Sequence, residues 1–439
     1  MKEQEILETI KRENVQFVKL MFTDVSGVLR CVEISVNSLT RAFDNKIMVD
    51  GSNIRGFSTV NAADTLLAPD LSTFKLLPFF ESQYGSVAIM ICDVLTPDGK
   101  VAPGCTRSNL KRELGKLNAL GFSKMNVGFE PEFFIFKDKS IAKSGLLDNG
   151  IYCADENNDE GAAIRREIMY ELGRIGIEAA TSHHECAPGQ YELTYKFTDA
   201  LAACDNILLF KFLVKAIVKK HGYAVTFMPK PIMGIAGNGL HTNVSLMTKD
   251  DNNAFWDVEK QAISGTAKEF IKGVLLHARG ISILTNPTIN SYKRLVSGYE
   301  APVTICWSVA NRSSMIRVPM ATGSAARIEI RNTDSSANPY LAIAGILSAG
   351  LDGIKSKTPL IPSLDHNVFK LTSQEKRKLR LRDLPASLSE AITEFKADKV
   401  IKRCVTKKIA DEIIACKQTE IRNYNTIVNN FDLEHYFDV

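Results

Sequence analysis

Apolar and polar residues follow two different rhythms along this 439-residue chain. In the first hundred residues the rhythm is short. VQFVKLMF, the turn TDVSG and VLRCVEIS read as a β-hairpin, and further strands are predicted at 47–49, 73–77 and 86–94. Helical spacing is confined there to the amphipathic MKEQEILETIKREN and to SLTRAFDN. The turn-rich TPDGKVAPG at 96–104 separates this part from one with longer periods. Beyond it, helical periods run over 107–119, 160–175, 199–220, 255–278, 339–354 and along the C-terminus, with strands between them. The pattern predicts an α+β protein: a small β-rich domain over 1–102 and a larger mixed domain over 103–439.

One stretch of the larger part conflicts with its own pattern. VGFEPEFFIF, 127–136, reads as a strand buried on both faces, yet carries Glu130 and Glu132. Residues two apart in a strand share a side, so both carboxylates face one small volume. Burying like charges together is costly unless cations pair with them.

Other polar residues stand in similar settings. In SHHECAPGQYELTYKF, Glu185 and Glu192 flank the turn Pro188-Gly189, and a strand–turn–strand would return the second beside the first. His183 and His184 could be ligands, but loop histidines with local hydrogen bonds are commoner. ARIEIRN, 326–332, puts Ile328 and Ile330 on one strand face and Arg327, Glu329 and Arg331 on the other. GIAGNGLHTNVS places three glycines shortly before His241, but lacks the Gly-Lys-Ser/Thr ending of a phosphate loop. NSYKRLVSGYEAP carries Arg294 and Glu300 around a Ser-Gly turn, NRSSMIRVP adds Arg312 and Arg317, and Asp50 opens DGSN after an apolar strand. Singly, each has an ordinary reading as a solvated strand face, a charged loop or a turn-forming aspartate.

Composition removes some function classes. The chain is 45% hydrophobic and 24% charged with a net charge of +4, ordinary for a soluble globular protein. No basic block points to nucleic acid, since KRKLRLR at 376–382 reads as a solvated helix face. No apolar run is long enough to span a bilayer. Nine cysteines, an odd number without paired spacing, suggest reduced thiols in a cytoplasmic protein. Together, five glutamates and one histidine then suggest a site for two hard cations, Mg²⁺ or Mn²⁺. The arginines around them point to phosphoryl transfer.

The motifs DGSNIRGF, PDLSTF, GFEPEFFIF, HHECAPGQYE, FMPKP with GNGLHTNVSL, NSYKRLVSGYEAP, NRSSMIRVP and RIEIRNTDSSANPYLA resemble those of glutamine synthetases of the bacterial class I type, along nearly the whole chain. The resemblance implies a β-grasp N-terminal domain and a catalytic domain whose antiparallel sheet lines a metal-binding funnel. It also implies a dodecamer of two hexameric rings with shared active sites. By motif position, Glu132, Glu185 and Glu192 would hold a first metal and Glu130, His241 and Glu329 a second, the ions about 4 Å apart. Arg294 and Arg331 would grip the carboxylate of L-glutamate, with Gly237 in the same pocket. Arg312 and Arg317 would meet the transferred phosphoryl group, and Arg327 and Ser245 would lie by ATP. Glu300 would sit on a closing loop, and Asp50 would bind ammonium and help deprotonate it.

The chain departs from the family pattern in places. Ala236 stands where an asparagine contacts the amino acid in other members. Thr59 replaces the arginine of the feedback-sensitive class, and no counterpart of the adenylylated tyrosine precedes Asp383-Leu384-Pro385. Three functions are therefore compared: glutamate–ammonia ligase; a γ-glutamyl ligase using an organic amine; and a non-catalytic relative, which the intact metal set argues against.

Overall fold

The computed structural model describes residues 1–57, 63–139, 143–356 and 360–439, so Thr59 lies outside the described residues. The chain begins with a helix, Glu3–Arg12, followed by β1 (Val15–Thr23), β2 (Leu29–Ser35), β3 (Ile47–Asp50), β4 (Asp64–Leu76) and β5 (Ser86–Leu95). These strands form one sheet in the order β2-β1-β5-β4-β3, with β1 and β5 parallel and the other pairs antiparallel. The apolar run of β5 is explained by its two faces. Ala88, Met90, Cys92 and Val94 join a core with the N-terminal helix, whereas Val87, Ile89 and Ile91 face the main core of the rest of the molecule.

The second sheet is built on β6 (Phe122–Phe136), its longest strand. Next come β7 (Ala179–His184), β8 (Gln190–Tyr195), β9 (Thr198–Asp199), β10 (Ala224–Thr226), β11 (Leu240–Thr248), a small pair β12 (Trp256–Asp257) and β13 (Ala262–Ile263), then β14 (Trp307–Val309), β15 (Ile316–Val318) and β16 (Ile328–Ile330). The order is β14-β15-β16-β11-β6-β8-β7, antiparallel except for β14 with β15. Helices Ala200–Lys220, Gly265–Thr285 and Pro339–Ser356 share one core with Met125, Val127, Phe129, Phe133 and Ile135 of β6. The intervening positions of β6 face the other way, and that alternation gives Glu130 and Glu132 their common side.

Three local expectations are corrected. The helix expected over 255–278 begins at Gly265, because Ser264 caps it by accepting from the Ala267 N–H and residues 256–263 form the β12–β13 pair. The solvated helix face expected at 376–382 ends at Lys378. Arg380 is left-handed at φ 54°, and the Arg382 carbonyl accepts from the Ile305 N–H instead. His183 and His184 lie on β7 rather than in a loop, and His184 is fully buried. All nine cysteines are free thiols.

Candidate active site

Strand register assembles the acidic cluster. Glu130 on β6 lies opposite His241 on β11, and Glu132 opposite Glu192 on β8, which in turn faces His183 on β7. On the other flank Glu329 of β16 pairs with Asn243 of β11 and Arg317 of β15. Glu185 follows the end of β7, as the strand–turn–strand reading required. Three overlapping groups result, each with ligand atoms within 4.8 Å of one another: Glu130, His241 and Glu329; Glu132, Glu192 and His241; His183, Glu185 and Glu192. The first coincides with the second-metal set expected from sequence. Glu132 and Glu185 instead fall in two separate groups, each with its own histidine, that share Glu192.

These groups line one cavity of about 520 Å³. Its walls also hold Arg294, Arg312, Arg317, Arg327, Arg331, Gly237, Ser245, Glu300 and Ala236. Of the residues to which the family resemblance gave a role in the site, Asp50 is the one outside its lining; His184, weighed as a ligand, is outside it as well. Asp50 lies exposed at the end of β3, accepting from the Ser52 N–H at 2.9 Å and from Asn53 Nδ2 at 2.6 Å.

The site is short of positive charge. Burial pushes the Glu132 carboxyl up. Burial also raises Glu185, helped by the charge of Glu192. Burial likewise raises Glu192, against a hydrogen bond from His183. Burial works in the same direction on Glu130, but its hydrogen bond to His241, the His241 charge, Asn243 and Arg331 prevail and set it at about 2. His183 is raised to about 9 by its hydrogen bond to Glu192. For His241, burial and Arg331 pull the imidazole down, yet contact with Glu130, Glu132 and Glu329 raises it overall. Carboxyls pushed up by burial and by one another, beside imidazoles pushed up by those same carboxylates, mark a cluster that hard cations would neutralise.

The arginines are held ready around it. Arg294, 3% exposed, donates to the carbonyls of Arg331 at 3.2 Å and Asn332 at 3.0 Å. Arg331 donates to Glu329 Oε1 at 2.5 Å and Arg317 to Oε2, while both Nε atoms are buried without a hydrogen-bond partner among the described residues. Arg327 donates from Nε to Asn243 Oδ1 at 3.0 Å, and Asn243 donates to Glu130 Oε1 at 2.8 Å.

Several supporting residues escaped the sequence reading. Gly239 donates its N–H to Glu132 Oε2 at 2.8 Å, and Gln190 adds a bond at 3.2 Å. Buried Asp148 accepts from His184 at 2.8 Å, the Gly189 N–H at 3.0 Å and Tyr191, fixing the hairpin that carries Glu185 and Glu192. Only the run of glycines before His241 hinted at any of these, since the partners are distant in sequence.

Comparison with known proteins agrees with this geometry. The model of the glutamine synthetase catalytic domain matches residues 103–436, and that of its β-grasp domain residues 14–97. Glutamine synthetase of Staphylococcus aureus strain Mu50 is 43% identical over 436 residues, 99% of this chain and 97% of the relative. That of Staphylococcus epidermidis is 43% identical over 435 residues, 98% and 97% of the two chains. Among solved structures, a complex of GmaS with ADP superposes with a TM-score of 0.89 at 30% identity, covering 98% of this chain and 99% of that one. Plasmodium falciparum glutamine synthetase gives 0.88 at 26% identity, with 99% of each chain covered.

A β-grasp sheet joined to a cavity of carboxylates and arginines defines a ligase that uses ATP and a divalent metal. The chain belongs to the glutamine synthetase family, and its activity is that of the ligases that form glutamine. No helix among the described residues is long and apolar enough to cross a membrane.

Proposed function

We propose that the protein joins ammonia to the γ-carboxylate of L-glutamate through γ-glutamyl phosphate, releasing ADP and phosphate. The supporting observation is the convergence of Glu130, Glu132, Glu185, Glu192, His241 and Glu329 in one cavity with five arginines. Oxygen donors with one imidazole suit Mg²⁺ or Mn²⁺. Glu132, Glu185 and Glu192 would hold one ion, and Glu130, His241 and Glu329 another. Such ions, when bound, neutralise the phosphates and the charge that develops on them.

The chain's own residues do the rest. Arg294 and Arg331 hold the glutamate carboxylate with forked hydrogen bonds. Gly237 lies in the same pocket, its backbone packed so closely on Pro229 that a Cβ there would lie 2.1 Å from the Pro229 carbonyl oxygen. Arg312 and Arg317 draw charge from the phosphoryl group as it passes from ATP to the γ-carboxylate, and Arg327 and Ser245 position the nucleotide. The segment of Glu300 covers the acyl phosphate and keeps water from it. Asp50, from a neighbouring subunit of a ring in a dodecamer, binds ammonium and takes its proton. Ammonia then attacks the acyl carbon and phosphate leaves.

Ala236 favours one second reading, an organic amine as acceptor. It lines the cavity and packs against the apolar cluster of Phe134, Phe136, Leu146, Ala187 and Ile232, at the position where the family resemblance implies an asparagine. An amine panel assayed by phosphate release and amide formation separates the two. Ammonium should show the highest kcat/KM; a much higher value for a primary amine would move the function to the second reading.

A further inference from the structure

Lys230 is buried, and no carboxylate pairs with it among the described residues. Its main chain is a fixed post. The N–H donates to Asn290 Oδ1 at 2.7 Å, and Asn290 Nδ2 returns a bond to the carbonyl at 2.9 Å. The side chain runs past Gly237, where an added Cβ would lie 3.3 Å from Lys230 Cδ. Its ammonium donates to the Ile235 carbonyl and sits 3.8 Å from the centroid of the Tyr299 ring. A cation over an aromatic face is held more strongly the less water reaches it, and Lys230 is buried.

Tyr299 belongs to the segment that carries Glu300. Between buried Leu295 and Ala301, residues Val296, Ser297, Gly298 and Glu300 are exposed, and Tyr299 alone is half-buried. Gly298 at φ 93° and Glu300 at φ 60° are both left-handed, a strained arrangement for Glu300 that needs something to hold it. Tyr299 and Glu300 both line the cavity. The one aromatic ring of the segment therefore rests on a cation anchored to the cavity's rigid wall.

We propose that Lys230 and Tyr299 form a latch that keeps the Glu300 segment over the cavity, with Lys230 a positioning residue that protects the acyl phosphate from water. The inference rests on the function proposed above, because only a water-labile intermediate makes closure matter. With the latch open, a water oxygen bonds to the acyl carbon and the carbon–oxygen bond to the phosphoryl group breaks. Inorganic phosphate leaves, the proton passes to solvent, and glutamate is regenerated with one ATP consumed.

The test counts phosphate released per glutamine formed by the full-length enzyme at saturating ATP, glutamate, Mg²⁺ and ammonium. The unaltered enzyme should give about one phosphate per amide, the stoichiometry of a sealed site. Tyr299→Phe keeps the ring face and should keep that ratio. Tyr299→Leu and Lys230→Met should raise it several-fold while KM for ATP changes less than about twofold, a split that general loss of structure does not produce. A ratio that stays at the unaltered value in both overturns the latch, as does Tyr299→Phe behaving like Tyr299→Leu. Should Lys230→Met fail to fold, Tyr299→Leu on its exposed segment decides alone. An unaltered enzyme that forms no glutamine refutes the proposed function instead, and the latch is then read as phosphate per amide with the amine that is accepted.

Discussion

Gly239→Ala would add a single methyl group at the point where the substrate arginine and both metal groups meet. An ideal Cβ at Gly239 lies 2.7 Å from Arg294 Nη2, and 3.1 Å from both Glu132 Oε1 and His241 Nε2. Carbon contacts normally settle at about 3.5 Å, so the guanidinium must move by roughly 0.8 Å. It has little room to do so, being buried and tied to the carbonyls of Arg331 and Asn332. A misplacement near 1 Å at a reacting centre costs about 10²-fold in rate, or about 2.7 kcal/mol of transition-state stabilisation. The backbone itself tolerates alanine, because Gly239 does not occupy the left-handed region, and its N–H can still donate to Glu132. Crowding the buried guanidinium should still cost about 1–3 kcal/mol of stability. Steady-state glutamine formation with glutamate and Mg²⁺ titrations, alongside thermal unfolding, gives both quantities. An unaltered kcat/KM for glutamate in a folded variant would refute the placement of Arg294 beside the metal groups as a substrate contact.

Arg107 binds buried Asp205 through Nε at 3.0 Å and Nη2 at 2.8 Å and reaches Asp70 at 2.9 Å, joining the two sheets' domains; Arg107→Ala should cost about 3–5 kcal/mol, and an unchanged urea midpoint would contradict this. Burial pushes the Asp70 carboxyl up, but hydrogen bonding from Ser72 and the charge of Arg107 hold it at about 2, below its usual value. A depressed carboxyl contributes stability above its unfolded pKa, so this contribution should fade as pH drops from about 4 to 2, and Asp70→Asn should flatten that part of the stability–pH curve. Asp50→Ala and Glu132→Ala subunits should each be nearly inactive alone yet recover activity when co-assembled, because some junctions then pair an intact Asp50 with an intact metal site. Mixed oligomers without recovery would rule out the shared site.

The sequence by itself determined those features that depend on a few neighbouring residues. The alternation in VGFEPEFFIF put Glu130 and Glu132 on one side, and that in ARIEIRN aligned Arg327, Glu329 and Arg331, because a strand's side-chain period is two whatever surrounds it. The Pro-Gly turn between Glu185 and Glu192 was legible for the same reason. The false start of the helix at 255 shows the limit: Ser264 was a readable cap, but the apolar spacing before it suited either structure. Tertiary structure decided which strands became neighbours and in what register. That choice set Glu192 between Glu132 and His183, brought Asn243 against Glu329, and turned His184 from a candidate ligand into the buried partner of Asp148. It also ended the helix at Lys378, where the following backbone pairs with residues after the Glu300 segment. Such pairings join residues remote along the chain, and they are selected by the burial of whole faces rather than by any local preference.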